Sequence, residues 1–234
     1  MADGNNQLGV NDGDDDDIFV YTGGRAPRDV RRARIAENVD TIPQGAFYDC
    51  PQLIEVEGHD KVRKIGKDAF RICRRLRRLT NMNGVKEIER WAFGGCNALS
   101  DVDFDKLEII GPIAFDSCRS LTSINMRSVR RIGESAFQYC HALTEAVFGE
   151  ELEGIEGCAF RSCTALSRIV IPLKDNLIIN NLAFLFCDVL VRVDVIRAGI
   201  HKTISSLHME SWRDEMREEI GQINQTLRKR GRRC

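Results

Sequence analysis

Seven times along its length the chain repeats the string Ala-Phe-x-x-Cys-x-x-Leu, with phenylalanines at Phe47, Phe70, Phe93, Phe115, Phe137, Phe160 and Phe184. The intervals between them are 23, 23, 22, 22, 23 and 24 residues. An isoleucine stands five residues before each Phe, at Ile42, Ile65, Ile88, Ile110, Ile132, Ile155 and Ile179. A small or branched apolar residue follows nine residues after it, at Val56, Leu79, Val102, Ile124, Ala146, Ile169 and Val193. A unit this short buries too little surface to fold alone. Copies must therefore stack, with equivalent side chains forming continuous columns.

Within a unit, residues 121–126 alternate apolar and polar side chains and read as a strand. Residues 132–140, with Ile132, Ala136, Phe137 and Cys140, have helix-like spacing and are expected to form a short helical turn on the opposite side of the coil. The fold expected is an α/β solenoid of seven rungs, carrying on one face a parallel sheet of about 34 Å at ~4.8 Å per strand. Open sheet ends invite aggregation and call for caps. Ile18, Phe19, Val20 and Tyr21, ahead of Gly23-Gly24 and Pro27, suit a closing strand and turn, and Val30, Ala33, Ile35 and Val39 suit a half-rung. Trp212, Met216, Ile220, Ile223 and Leu227 mark one face of an amphipathic helix over residues 206–228. That helix can cap the coil or pair with another chain, so self-association through it is open. The domain bounds expected are an acidic disordered tail at 1–17, an N-terminal cap at 18–29, the solenoid at 30–196, a helical cap at 197–228 and a basic tail at 229–234.

Nine cysteines raise the question of disulfides, metal or thiol chemistry. No C-x-x-C pair and no His pair with zinc-ligand spacing occurs. Seven of the cysteines (Cys50, Cys73, Cys96, Cys118, Cys140, Cys163 and Cys187) keep the repeat interval and read as a buried column of small apolar side chains. Cys158 and Cys234 lie off it. His59, His141, His201 and His208 fall at unrelated positions of the repeat, and no nucleophile elbow, P-loop or H-E-x-x-H string is present. No catalytic residue set, metal site or cofactor is expected, which leaves a metal- or thiol-dependent enzyme as the weakest of the alternatives.

A net charge of −1 gives no whole-molecule attraction to nucleic acid or anionic membranes, and no apolar run is long enough to span a bilayer. Solenoids commonly bind along their sheet face. The exposed strand positions there include Glu55, Arg78, Asp101, Glu145, Arg168, Arg192 and Asp194, taken as the candidate binding residues. Ser123, Glu57, Thr80, Asp103 and Asn125 accompany them, and Val147 and Val170 make an apolar spot. Opposite charges on neighbouring strands can also pair with each other. Either reading fits, and alanine at Arg78, Arg168 and Arg192 is expected to weaken partner capture without changing melting. The acidic run Asp12, Asp14, Asp15, Asp16 and Asp17 fails the calcium-loop pattern and suits a solubilising tail. Arg228, Lys229, Arg230, Arg232 and Arg233 allow nuclear import or contact with phosphate.

The full string Ile-Gly-x-x-Ala-Phe-x-x-Cys-x-x-Leu, at Ile65 to Leu76 and Ile132 to Leu143, resembles the BspA-like leucine-rich repeat over residues 30–196. The resemblance implies a non-catalytic scaffold that binds a protein or peptide partner. Bacterial members with this repeat are surface proteins, which gives the alternative of an exported adhesin. The start of the chain has no basic, apolar leader pattern. The Ile18 to Gly23 entry and the Leu207 to Arg213 exit look like intracellular protist-type members. An intracellular, cytoplasmic or nuclear protein is therefore expected.

Overall fold

The computed structural model describes residues 18–174, 176–180, 182–197 and 200–204. Its strands begin with β1 (Ile18–Tyr21), β2 (Arg32–Ile35), β3 (Thr41–Ile42), β4 (Glu55–Glu57), β5 (Lys64–Ile65), β6 (Arg78–Thr80), β7 (Glu87–Ile88) and β8 (Asp101–Val102). They continue with β9 (Ile109–Ile110), β10 (Arg131–Ile132), β11 (Glu145–Val147), β12 (Gly154–Ile155), β13 (Arg168–Pro172), β14 (Ile178–Ile179), β15 (Arg192–Arg197) and β16 (Ile200–Ile204). The column isoleucines carry an unbroken seven-stranded parallel sheet, β3-β5-β7-β9-β10-β12-β14. The opposite ladder is divided into a five-stranded sheet, β1-β2-β4-β6-β8, and a four-stranded one, β11-β13-β15-β16. Pairing is parallel throughout except for the antiparallel β15–β16 hairpin that turns the chain back.

Two expectations are corrected. The α/β solenoid is an all-β one: no helix occurs among the described residues, and residues 132–140 form consecutive turns after β10. The cause is visible in the backbone. Ser135 and Tyr139, two residues either side of Phe137, take positive φ (54° and 60°) and interrupt any right-handed run. Their N–H groups, with that of Phe137, leave the turn and donate to Gly157, Ala159 and Arg161 carbonyls of the next rung at 3.0, 2.7 and 2.9 Å. The alternate residues Ala136, Gln138 and Cys140 close local three-residue turns instead. An α-helix would keep all these donors to itself and leave the rungs untied here. The left-handed backbone costs about 1–2 kcal/mol per non-glycine residue, yet the same positions adopt it in other rungs, even at β-branched Ile72 (φ 65°) and Ile113 (φ 58°). Tying rungs outweighs local preference.

The second correction is that residues 121–126, expected as a strand, are not one: only a Met126–Phe148 bridge links them to the next rung as sheet. The helix expected at 206–228, and both terminal tails, lie outside the described residues. The last rung leaves Ile178, Leu182, Phe186, Val189 and Val191 exposed.

The core is a set of stacked columns, and the repeat string names them. Phe47, Phe70, Phe93, Phe115, Phe137 and Phe160 are fully buried. The rings from Phe47 to Phe184 follow one another with centroids 5.0–5.3 Å apart and planes within 12° of parallel. Tyr21 closes the N-terminal end of the stack, 4.8 Å from Phe47. The ring spacing matches the strand spacing of a sheet, so aromatic contact and hydrogen-bond ladder are satisfied together. Each column cysteine adds a weak cross-rung bond: Cys118 Sγ donates to Phe93 O (3.3 Å), Cys140 to Phe115 O (3.2 Å) and Cys163 to Phe137 O (3.1 Å). Cysteine suits the site because a thiol packs as a small apolar group and still donates. Burial pushes the thiols of Cys96, Cys118, Cys140 and Cys163 well above the ordinary cysteine range. They are neither nucleophiles nor metal ligands while folded.

Two outcomes follow. Phe115→Ala should lower stability by about 3–5 kcal/mol, measured by urea unfolding. Thiol labelling of the native chain should reach Cys158, which is half-buried, well before Cys96, Cys118 or Cys140, whose rate should rise only as the protein unfolds.

Candidate protein-binding face

Two outward columns run along the divided ladder. In the first, Arg32, Glu55, Arg78 and Asp101 stand in register across β2, β4, β6 and β8. Glu145, Arg168 and Arg192 continue it across β11, β13 and β15. The structure thus brings the seven sequence-chosen residues into two groups, on either side of the interruption.

Most of their charge is used internally. Glu55 lies 3.9 Å from both Arg32 and Arg78, and Arg34 pairs with Glu57 at 2.7 Å. At the other end Arg168 bridges Glu145 (3.0 Å) and Asp194 (2.7 Å), and Arg192 also meets Asp194 (3.1 Å). Asp194 is completely buried, so it is a clamp between β13 and β15 and is not open to a partner. Its carboxylate hydrogen bond raises the Arg168 guanidinium above its ordinary value, against a smaller opposing effect of burial. Arg168 therefore belongs to the framework, and its loss should disturb stability, contrary to the sequence expectation. The apolar spot is also smaller than expected, because Val170 is buried and Val147 is half-buried.

The interruption itself was not foreseen. Among the described residues no backbone pairing joins β8 to residues 122–125, and none of the four N–H groups from Thr122 to Asn125 donates to another backbone carbonyl. Thr122, Ser123 and Asn125 are exposed. Beside them Asp101, Asp103 and Asp105 project into solvent without an ion-pair partner among the described residues. Burial, then the like charges of Asp105 and Asp101, raise the Asp103 carboxyl above the usual aspartate value. The Asn83 amide, with its nitrogen turned toward them, donates to both Asp103 oxygens at 2.7 and 2.9 Å. A faint signal existed in the sequence: three aspartates alternate at 101, 103 and 105, followed one rung on by Ser123 and Asn125 in place of charge.

Nothing else among the described residues gathers reactive groups. His59 is buried with Nε2 2.9 Å from Ala36 O, a satisfied structural position. Among the described residues no group of three or more His, Cys, Asp or Glu side chains is placed to hold a metal.

The model of the BspA-type leucine-rich repeat region matches residues 40–167 and 108–206, in six copies. The chain belongs to that family. As a member it is a leucine-rich-repeat solenoid. No curated protein matches it. Among solved structures it is similar to the T. pallidum leucine-rich-repeat protein, at 24% identity and a TM-score of 0.48, over 77% of this chain and 76% of that one. A leucine-rich-repeat protein from Bacteroides ovatus shows 20% identity and a TM-score of 0.42, over 70% of this chain and 63% of that one. A leucine-rich cell surface protein from Faecalibacterium prausnitzii shows 16% identity and a TM-score of 0.30, over 77% and 90%. The expected intracellular, cytoplasmic or nuclear location is corrected: the similar solved structures are of bacterial proteins, and one is named a cell surface protein. The protist-type, intracellular subdivision of the family has no support among them.

Asp194→Ala should lower stability by about 1–3 kcal/mol, since it removes the buried acceptor shared by Arg168 and Arg192. Arg78→Ala, which breaks only a long exposed pair, should change it by less than about 1 kcal/mol. Both are read by urea unfolding.

Proposed function

We propose that the chain is a binding module that holds a protein or peptide segment across the middle of its sheet face. Asp101 and Asp103 are the charged anchors, and the free backbone N–H groups of residues 122–125 offer strand-like hydrogen bonds. The observation that supports this most is the unpaired aspartate group beside an unladdered rung. Among the described residues, the other charges of the two outward columns meet partners within the face. A segment carrying Lys or Arg, laid against the open rung, would supply both the missing positive charge and the missing carbonyls. Glu55, Arg78, Glu145, Arg168 and Arg192 frame this stretch, with exposed edges available for rim contacts of small individual value.

An exported cell-surface adhesin is a second reading, prompted by the naming of the F. prausnitzii protein. It keeps the same face and differs only in where the partner is met. Protease treatment of intact cells distinguishes it, since a surface module is clipped and an internal one survives.

The binding proposal is tested by partner capture on the immobilised full chain. Asp101→Asn with Asp103→Asn should reduce capture about tenfold or more, on the scale of losing a charge pair at an interface, with melting not lowered. Glu145→Ala should have little effect. Undiminished capture by the double variant would remove the centre of the face from consideration.

A further inference from the structure

A second charged feature lies one rung before the aspartates, at the corner where the cysteine turn enters the sheet. The rung of β6 carries five arginines there: Arg71, Arg74, Arg75, Arg77 and Arg78. Arg71 pairs with Asp68 and stacks over Trp91, its guanidinium 4.3 Å from the ring centre. Arg75 donates to Gln52 Oε1 at 2.6 Å, and Arg78 faces Glu55 across the sheet. Arg74 and Arg77 are exposed and have no carboxylate partner among the described residues. Two rungs earlier Arg31 is in the same condition, while Arg28 is held by Asp49. Arg31 and Arg77 share one column, because Ile54 donates to Arg31 O and Arg77 donates to Ile54 O, each at 2.8 Å. The intervening rung's acids are engaged elsewhere, Asp49 with Arg28 and Glu55 with Arg32 and Arg78, and between Arg31 and Arg77 it offers Pro51, Gln52 and Ile54.

The chain supplies the complementary charge close by. Asp12, Asp14, Asp15, Asp16 and Asp17 immediately precede β1, and no Lys or Arg stands before Ile18. The register pairs Ile18 with Arg32, so β1 begins beside the Arg31 rung. From β1 to β6 is three strand steps, about 14 Å. Six residues span up to ~20 Å, enough to lie over both the Arg31 and the Arg77 rungs. Tethering so short a segment gives it an effective concentration in the millimolar range, and arginine forks suit carboxylates in pairs.

We propose that this arginine corner is a docking surface for acidic peptide, and that its occupant is the chain's own segment of residues 12–17. The contact sets the charge that the N-terminal half of the solenoid presents: covered, the corner is near neutral; uncovered, it offers the guanidinium groups of Arg31, Arg74 and Arg77 to any acidic segment that displaces the resident one.

Phenylglyoxal footprinting of the full chain at low salt, read residue by residue by mass spectrometry, tests this. Arg31, Arg74 and Arg77 should react at least about threefold more slowly than in the variant carrying Asp14→Asn, Asp15→Asn, Asp16→Asn and Asp17→Asn, as a millimolar tether predicts. Arg127, exposed on the far side of the interruption, should react equally in both. Salt near 1 M, with a screening length of about 3 Å, should abolish the difference. Equal rates for the three arginines in the two proteins would overturn the proposal. So would protection that disappears on dilution, which would assign the acidic segment to a second copy. In the Arg74→Lys variant, carbodiimide should join the introduced amine to an aspartate of residues 14–17 within one chain, and an introduced amine linked only elsewhere would contradict it.

Discussion

The structure depends on one arrangement of the backbone: at the phenylalanine corner, every second N–H leaves its own turn and binds a carbonyl of the next rung. Phe70 to Ala92, Phe93 to Ala114, Phe115 to Ala136 and Phe137 to Ala159 make this contact at 2.7–2.8 Å. It brings left-handed residues into the turns flanking the Phe, which excludes helix. It also fixes the rise per rung at a value that lets flat rings stack. Phenylalanine, alanine and cysteine then follow as the side chains that fit: one stacks, one lets the turn close, and one donates a weak bond across the rung.

Much of this was legible in the sequence, because columns impose identity. Isoleucine, alanine, phenylalanine, cysteine and leucine each contact their own counterparts, so each copy must repeat them. The helical reading of residues 132–140 failed for a stated reason. Apolar spacing of three and four marks which side chains face inward but is blind to whether N–H groups point along the chain or across it. Non-glycine residues such as Ile113 and Trp91 in the left-handed region leave no sign in sequence. The division of the sheet was hidden too, since Ile124 and Met126 keep the inward alternation of the strands in other rungs. Local pattern was satisfied there while pairing to the preceding rung was not.

The candidate face shows the same limit for function. A list of exposed strand residues cannot distinguish charges that meet each other from charges that wait for a partner. Once placed, Arg168, Arg192 and Asp194 close into a clamp around a buried carboxylate, and Glu55 sits between two arginines. Asp101 and Asp103 are left facing an open rung. Specificity in a solenoid of near-identical units must come from where the repeat is broken, and here sheet interruption and uncompensated charge coincide.

Amide hydrogen exchange resolved to single residues tests this account most directly. The amides of Phe93, Phe115 and Phe137 should exchange only with opening of the whole array, while those of residues 122–125, in its middle, should exchange orders of magnitude faster than those of β11. Protection of residues 122–125 equal to that of Glu145–Val147, or rapid exchange at the phenylalanine amides, would contradict it.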